Sequence, residues 1–297
     1  MFDLQFLLLL ISNGILLGLM YALIALGFVL VYKATDAINF AQGEFVMIAG
    51  FAVAVVMASY GAPWWLAAAV GLAGMIGFGF GLERVVLRPL IGRPVVAVIM
   101  ATIGLAAVLR GFGPLVWGAE TRPLPLPISD EPVVLGPLLI PPIQLVGAAV
   151  SLLFLGGFSW FFFRSRKGIA MRAVADDQQV AMAMGINVER YFALAWAMAG
   201  VVSALGGIVW GNLLGVDVHL ALVGLKVFPV VILGGLDSIP GAIVGGLIVG
   251  MVENVAAGYV DPLVGGGTKD FAPYVLMIIA LMFRPYGIFG KRIIERV

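Results

Sequence analysis

Polar side chains set within apolar runs are the groups whose chemistry this chain must account for. Glu253 and Asn254 interrupt the run 239–258, Asn39-Phe40-Ala41-Gln42-Gly43-Glu44 leads into the run 43–60, and Asn13 follows Ser12 inside the first run. A carboxylate at mid-bilayer costs about 2.5–3.5 kcal/mol on the insertion scale, so such groups must face protein or water. Asn13, Asn39, Gln42, Glu253 and Asn254 are therefore the candidates for lining a solute path. Glu253 precedes Gly258 by only a few residues, nearer an interface than the bilayer centre. It reads equally as a path residue or as one side of a helix–helix hydrogen bond. Glu44, at the start of its run, reads as interfacial or capping.

Catalytic chemistry has few carriers. The one histidine, His219, has no cysteine and no second histidine to complete a metal site, so no metal is expected. Gly265-Gly266-Gly267-Thr268-Lys269 has the look of a phosphate loop but not the G-x-x-x-x-G-K-[ST] spacing, so no nucleotide or other cofactor is expected on this chain. With no cysteine, disulfides and thiol catalysis are excluded. No catalytic residue is assigned.

The elements that must position these groups are membrane helices. Phe6 to Leu30 is uncharged, and its leucine, isoleucine, phenylalanine and valine side chains favour insertion by at most ~5–10 kcal/mol at ~0.3–0.6 kcal/mol each. The chain is 62% hydrophobic and 11% charged, about half the charge of a soluble domain. Its mean hydropathy is +1.13. Apolar segments fall at about 5–32, 43–60, 64–87, 95–117, 140–163, 190–214, 222–236, 239–258 and 273–283. The seventh and ninth are short for full crossings. The expected fold is all-α: a polytopic transmembrane bundle of eight or nine segments, one domain over residues 1–297. Asp3 and the length of the first run argue for a permanent helix rather than a signal peptide. A net charge of +1 gives no reason to expect nucleic acid.

Lysine and arginine distribution orients the bundle. With the N-terminus outside, inner segments hold Lys33, Arg84, Arg88, Arg93, Arg164, Arg166, Lys167, Arg172, Arg190, Arg284, Lys291, Arg292 and Arg296, leaving Arg110, Arg122, Lys226 and Lys269 for the outer side or the membrane. This places the C-terminus in the cytoplasm. Tyr60, Trp64, Trp65, Trp117 and Trp210 near outer ends suit an interfacial belt or plain core positions. The proline-rich stretch Gly118–Pro142 reads as extended and stiff, a docking surface or a spacer. Glycines four apart, including Gly14 with Gly18 and Gly246 with Gly250, read as close helix packing.

The longest inner connection runs from Arg164 to Arg190. Ala170 to Met184 is rich in helix formers, Gly185 sits where a left-handed cap belongs, and Met171, Val174, Ala175, Ala181 and Met182 share one face. A single short amphipathic helix is expected, its apolar face covered by the lipid surface or by a groove on a peripheral subunit.

Gly168-x-Ala170-x-Arg172-Ala173, Asp176-Asp177, Ala181 and Gly185-Ile186-Asn187 resemble the coupling loop of LivH-type branched-chain amino acid permeases of ABC importers. The resemblance continues through Asn13-Gly14-x-x-x-Gly18-x-x-Tyr21-Ala22-Leu23, Ile38-Asn39-Phe40-Ala41-Gln42-Gly43-Glu44, Gly234-Gly235-Leu236-Asp237-Ser238-Ile239-Pro240-Gly241-Ala242 and Arg284-Pro285-Tyr286-Gly287-Ile288-Phe289-Gly290. Asp177, where the family often has Asn or Glu, and the long proline-rich loop depart from the pattern. The resemblance implies a bacterial inner-membrane permease working with a sister permease, two cytoplasmic ATPases that bind the ATP, and an external substrate-binding protein. It also implies that Ala170, Arg172, Ala173, Asp176, Asp177, Ala181 and Gly185 form the ATPase contact. Urea, short amides or aromatic acids remain open as cargo. A lone ion-coupled transporter would need central ionisable residues, for which only Glu253 and Lys226 offer themselves.

Overall fold

The computed structural model describes residues 4–91, 93–136 and 138–290. Lys291, Arg292 and Arg296, which entered the charge asymmetry, and Asp3, which entered the reading of the first run, lie outside the described residues. Helices dominate: α1 (Leu4–Thr35), α2 (Gln42–Tyr60), α3 (Trp64–Leu82), α4 (Val95–Trp117), α5 (Pro142–Arg164), α6 (Arg166–Asp176), α7 (Gln178–Ala183), α8 (Val188–Leu214), α9 (Leu222–Gly234), α10 (Ile239–Val255), α11 (Asp261–Val264) and α12 (Thr268–Phe283). Among the described residues, seven helical stretches are long and apolar enough to cross a membrane, and Val218–Gly234 is a shorter apolar one. A polytopic helical bundle is thus what forms, and the count of eight or nine segments holds approximately. The proline-rich connection contains a hairpin of β1 (Val133–Leu135) and β2 (Leu138–Ile140), paired antiparallel with Val133 opposite Ile140.

Three helix starts carry side-chain caps of the same kind. Ser165 accepts from the Gly168 N–H, Asn187 from Arg190 and Ser238 from Gly241, each satisfying a first-turn donor that the helix itself leaves free.

The chain forms two compact units: Met1–Ala25, Ile128–Leu153 and Lys226–Val297 make one, and Leu26–Pro127 with Phe154–Leu225 make the other. In the first, Gly14 and Gly18 lie against Gly250 and Gly246, and a Cβ on Gly14 would stand 2.7 Å from the Met251 Cα. Bare backbone on both helices is what permits that approach, as the four-residue spacing predicts. In the second, α2, α3 and α8 pack closely around Phe45, whose ring meets Phe78 edge-on at 5.1 Å and Trp196 at 6.1 Å. Phe45 and Trp196 are fully buried. Trp210 is also buried, which makes it a core aromatic, whereas Tyr60, Trp64 and Trp65 are exposed as an interfacial belt requires.

Candidate functional site

In the larger unit, α2 does not begin at the end of the bundle. α1 stops at Thr35, and the chain runs without helix through Ile38 and Asn39 to Gln42. The Gln42 amide donates to the Ser203 hydroxyl at 2.9 Å. Ser203 lies fifteen residues into α8, about 22 Å along it at 1.5 Å per residue. The start of α2 therefore sits at middle depth among its neighbours.

A non-helical segment at such depth must find a partner for every backbone donor. Asn39 Oδ1 accepts the Ala41 N–H at 3.1 Å, the Thr102 hydroxyl accepts the Phe40 N–H at 3.3 Å, and the Asn39 carbonyl accepts the Gln42 N–H at 3.3 Å. Thr102 passes its own proton to the Ile99 carbonyl at 2.9 Å. Asn39 Nδ2 donates to Gln42 Oε1 at 3.0 Å, and Ser203 donates on to the Ala199 carbonyl at 2.8 Å. Asn39, Gln42 and Ser203 have no exposed surface. Gly27 makes room for this chain of bonds, because a Cβ there would overlap the Gln42 amide.

Glu44, two residues on, is buried and paired with Arg110 of α4, whose Nε lies 3.1 Å from Oε1. This corrects the interfacial reading of Glu44. Its position follows from the mid-depth start of α2, and its charge is balanced by a side chain that is itself 48% exposed. Asn39 and Gln42 are thus brought together. Thr102, Ser203 and Arg110 complete the cluster; the sequence singles out only Arg110 among them, as one of four basic residues outside the inner set.

The other candidates lie in the smaller unit. Glu253 accepts from the Tyr21 hydroxyl at 2.8 Å and from Lys226 Nζ at 3.3 Å, and Lys226 also reaches Asp270 at 2.8 Å. Both carboxylate oxygens of Glu253 are therefore engaged, by residues on two other helices. Asn254 donates to the Gly250 carbonyl one turn back in α10 at 3.0 Å. Asn13 Oδ1 is buried without a partner among the described residues.

The connection between α5 and α8 differs from expectation in two respects. It is two helices rather than one: Asp177 adopts an extended backbone, φ −160° and ψ 111°, and its carboxylate caps α7 by accepting from Gln179 and Val180 N–H at 2.8 and 2.9 Å. An aspartate gains more as a cap than in a helix interior, where its side chain competes with the backbone. Much of the apolar face is also already covered by the chain itself. Met171, Val174 and Ala181 are buried, and Met171 and Val174 line a small cleft with Leu30, Phe162 and Tyr191. Of that face Met182 remains outside at 56% exposure, together with Val180 at 58% and Met184 at 78%.

The individual residues of this connection fall accordingly. Arg172 folds back over Phe162 and Phe163 and donates to the Phe163 carbonyl at 3.3 Å. Ala170 and Ala173 are half-buried, Asp176 and Asp177 are exposed, and Gly185 takes φ +80° as the left-handed cap expected of it. Gln178 ties α7 to the end of α1 through a 3.2 Å bond to the Ala34 carbonyl.

Comparison with known proteins gives a consistent result. Residues 10–283 match the family model described as branched-chain amino acid transport system / permease component. The chain is 33% identical to the high-affinity branched-chain amino acid transport system permease protein LivH of Escherichia coli (strain K12), over 96% of each chain. It is 32% identical to the corresponding permease protein BraD of Pseudomonas aeruginosa, again over 96% of each. Among solved structures, it is similar to PsaBC from Streptococcus pneumoniae in complex with Fab, with a TM-score of 0.52 over 93% of this chain and 92% of that one. At 13% identity that likeness concerns the fold alone.

Proposed function

Since the chain belongs to the family of branched-chain amino acid transport permease components, we propose that it is the membrane-spanning subunit of an ATP-driven importer for leucine-like amino acids. It shares the translocation path with a sister permease of the LivM kind and receives cargo from an external substrate-binding protein. Two ATP-binding cassette subunits of the LivG and LivF kind hold the ATP, and this chain carries no cofactor of its own. It resides in the bacterial inner membrane, surrounded by lipid, with its N-terminus outside and its C-terminus in the cytoplasm.

The observation that carries this reading is the exposed apolar set Val180 and Met182 on α7 and Met184 just after it, a segment held to its own unit by Ala181 and Gln178. Apolar groups presented on a firmly anchored segment suit contact with a moving partner. Ala170, Arg172, Ala173, Asp176, Asp177, Ala181 and Gly185 shape and anchor that contact. Asn39 and Gln42, and in the smaller unit Asn13, Glu253 and Asn254, are the path candidates.

Met184→Glu tests the reading. In the reconstituted complex it is expected to lower ATP hydrolysis stimulated by loaded binding protein at least tenfold, with membrane insertion unchanged. Full stimulation in that variant would remove α7 as the ATPase contact.

A further inference from the structure

A cavity of about 240 Å³ opens in the larger unit beside the end of α1, bounded by the last turns of the α3 stretch, the first turns of α4 and the start of α7. Its apolar wall is formed by Leu87, Leu90, Val95, Val98 and Phe192, and its polar lining includes Asp36, Glu83, Arg93 and Gln178. The two acids differ in kind. Glu83 is buried and held by Arg88 through bonds of 3.1 and 3.0 Å, and Arg88 also reaches Glu189 at 3.1 Å. The Asp36 carboxylate has no partner among the described residues, and neither has the Arg93 guanidinium. Both reach solvent. The two opposite charges on this cavity do not pair with each other.

A spare carboxylate, a spare guanidinium and an aliphatic wall together are complementary to one class of molecule. An ammonium group would satisfy Asp36, a carboxylate would satisfy Arg93 with paired charge-assisted bonds, and a short apolar side chain would lie on the wall. Loss of hydration around Asp36 raises its carboxyl above the ordinary range. That cost is what a bound cationic group relieves. The buried ring of Trp196 backs the same wall.

We propose that this cavity is a binding site for a free α-amino acid with an aliphatic side chain, separate from the buried Asn39–Gln42 cluster. Its use in regulation rests on the importer reading above. In the proposed orientation the cavity faces the cytoplasm, so its ligand would be released product. Gln178 is both a cavity residue and the first residue of α7, so occupancy bears directly on the segment assigned to the ATPase. Accumulated amino acid would then slow the cycle.

Equilibrium dialysis of labelled leucine against the purified full complex, without external binding protein, tests the site. One saturable site per copy of this chain is expected, weakened at least tenfold by Asp36→Asn and by Arg93→Gln, and blocked by Val98→Trp, which fills the space and leaves both charges in place. Absence of saturable binding to the unaltered complex would overturn the proposal, as would binding that all three variants retain. Uptake of leucine into vesicles with loaded binding protein is read separately. Cavity binding with no leucine uptake would defeat the cargo reading and leave the site standing; uptake with no cavity binding would do the reverse.

Discussion

Gln42 joins Asn39 to Ser203, and none of the three touches solvent. Gln42→Leu keeps the volume but leaves the Asn39 amide without an acceptor, which costs about 1–3 kcal/mol for a buried donor. The melting temperature of the purified complex is expected to fall by several degrees; an unchanged value would mean that Asn39 finds another partner. Asn39 and Gln42 stand out in the sequence because polar side chains at the head of an apolar run demand partners. The partners themselves do not stand out. Thr102 and Ser203 lie 62 and 161 residues away, in helices where one hydroxyl donating to the preceding turn breaks no pattern. Lys226 stood out beside Glu253 as an ionisable residue, but its meeting with Glu253 and Asp270 depends on which helices become neighbours, and no local spacing records that.

At the scale of elements, most apolar segments were legible to within a few residues because a bilayer dictates their length, whereas α12 begins at Thr268, five residues before the segment read at 273–283. The connection from α5 to α8 was legible in composition but not in form. Asp177 lies in a stretch of good helix formers, and only its capping bonds reveal that the chain breaks there. A similar cap operates before the short helical turn Val218–Ala221, where Asp217 accepts from the Thr121 hydroxyl at 2.7 Å and the His219 N–H at 2.8 Å. Beside it, Arg122 and Val216 exchange backbone bonds. Burial opposes the charge on Asp217, but these donors together with the His219 ring outweigh it and hold the carboxyl below its usual range. A lowered folded value means stabilisation that is complete above about pH 4 and is lost as pH falls through the folded value. Amide protection at Arg122 and Val216, corrected for intrinsic exchange, is therefore expected to drop between pH 5 and pH 3. Asp217→Asn should lower protection at both values, and a pH response that persists in this variant would assign the effect to another group.

For the molecule as a whole, the absence of cysteine makes the proposed orientation directly measurable. Single replacements Ser129→Cys and Gln179→Cys introduce one thiol each at exposed positions. A membrane-impermeant maleimide is expected to label the first in intact spheroplasts and the second only after permeabilisation; the opposite pattern would invert the protein. Lysine and arginine counts carry this orientation in the sequence, whereas the mid-depth start of α2 is a tertiary property that no count of charges contains. That start also has a consequence for biosynthesis. Ser203, which the Gln42 amide needs, is made 161 residues later, roughly 8–30 s at bacterial and eukaryotic elongation rates of about 5–20 residues per second. During that interval the stretch from Asp36 to Ala41 has no finished site to enter. It must wait at the membrane surface or in the insertion machinery, and the first two helices can settle only after α8 has been delivered.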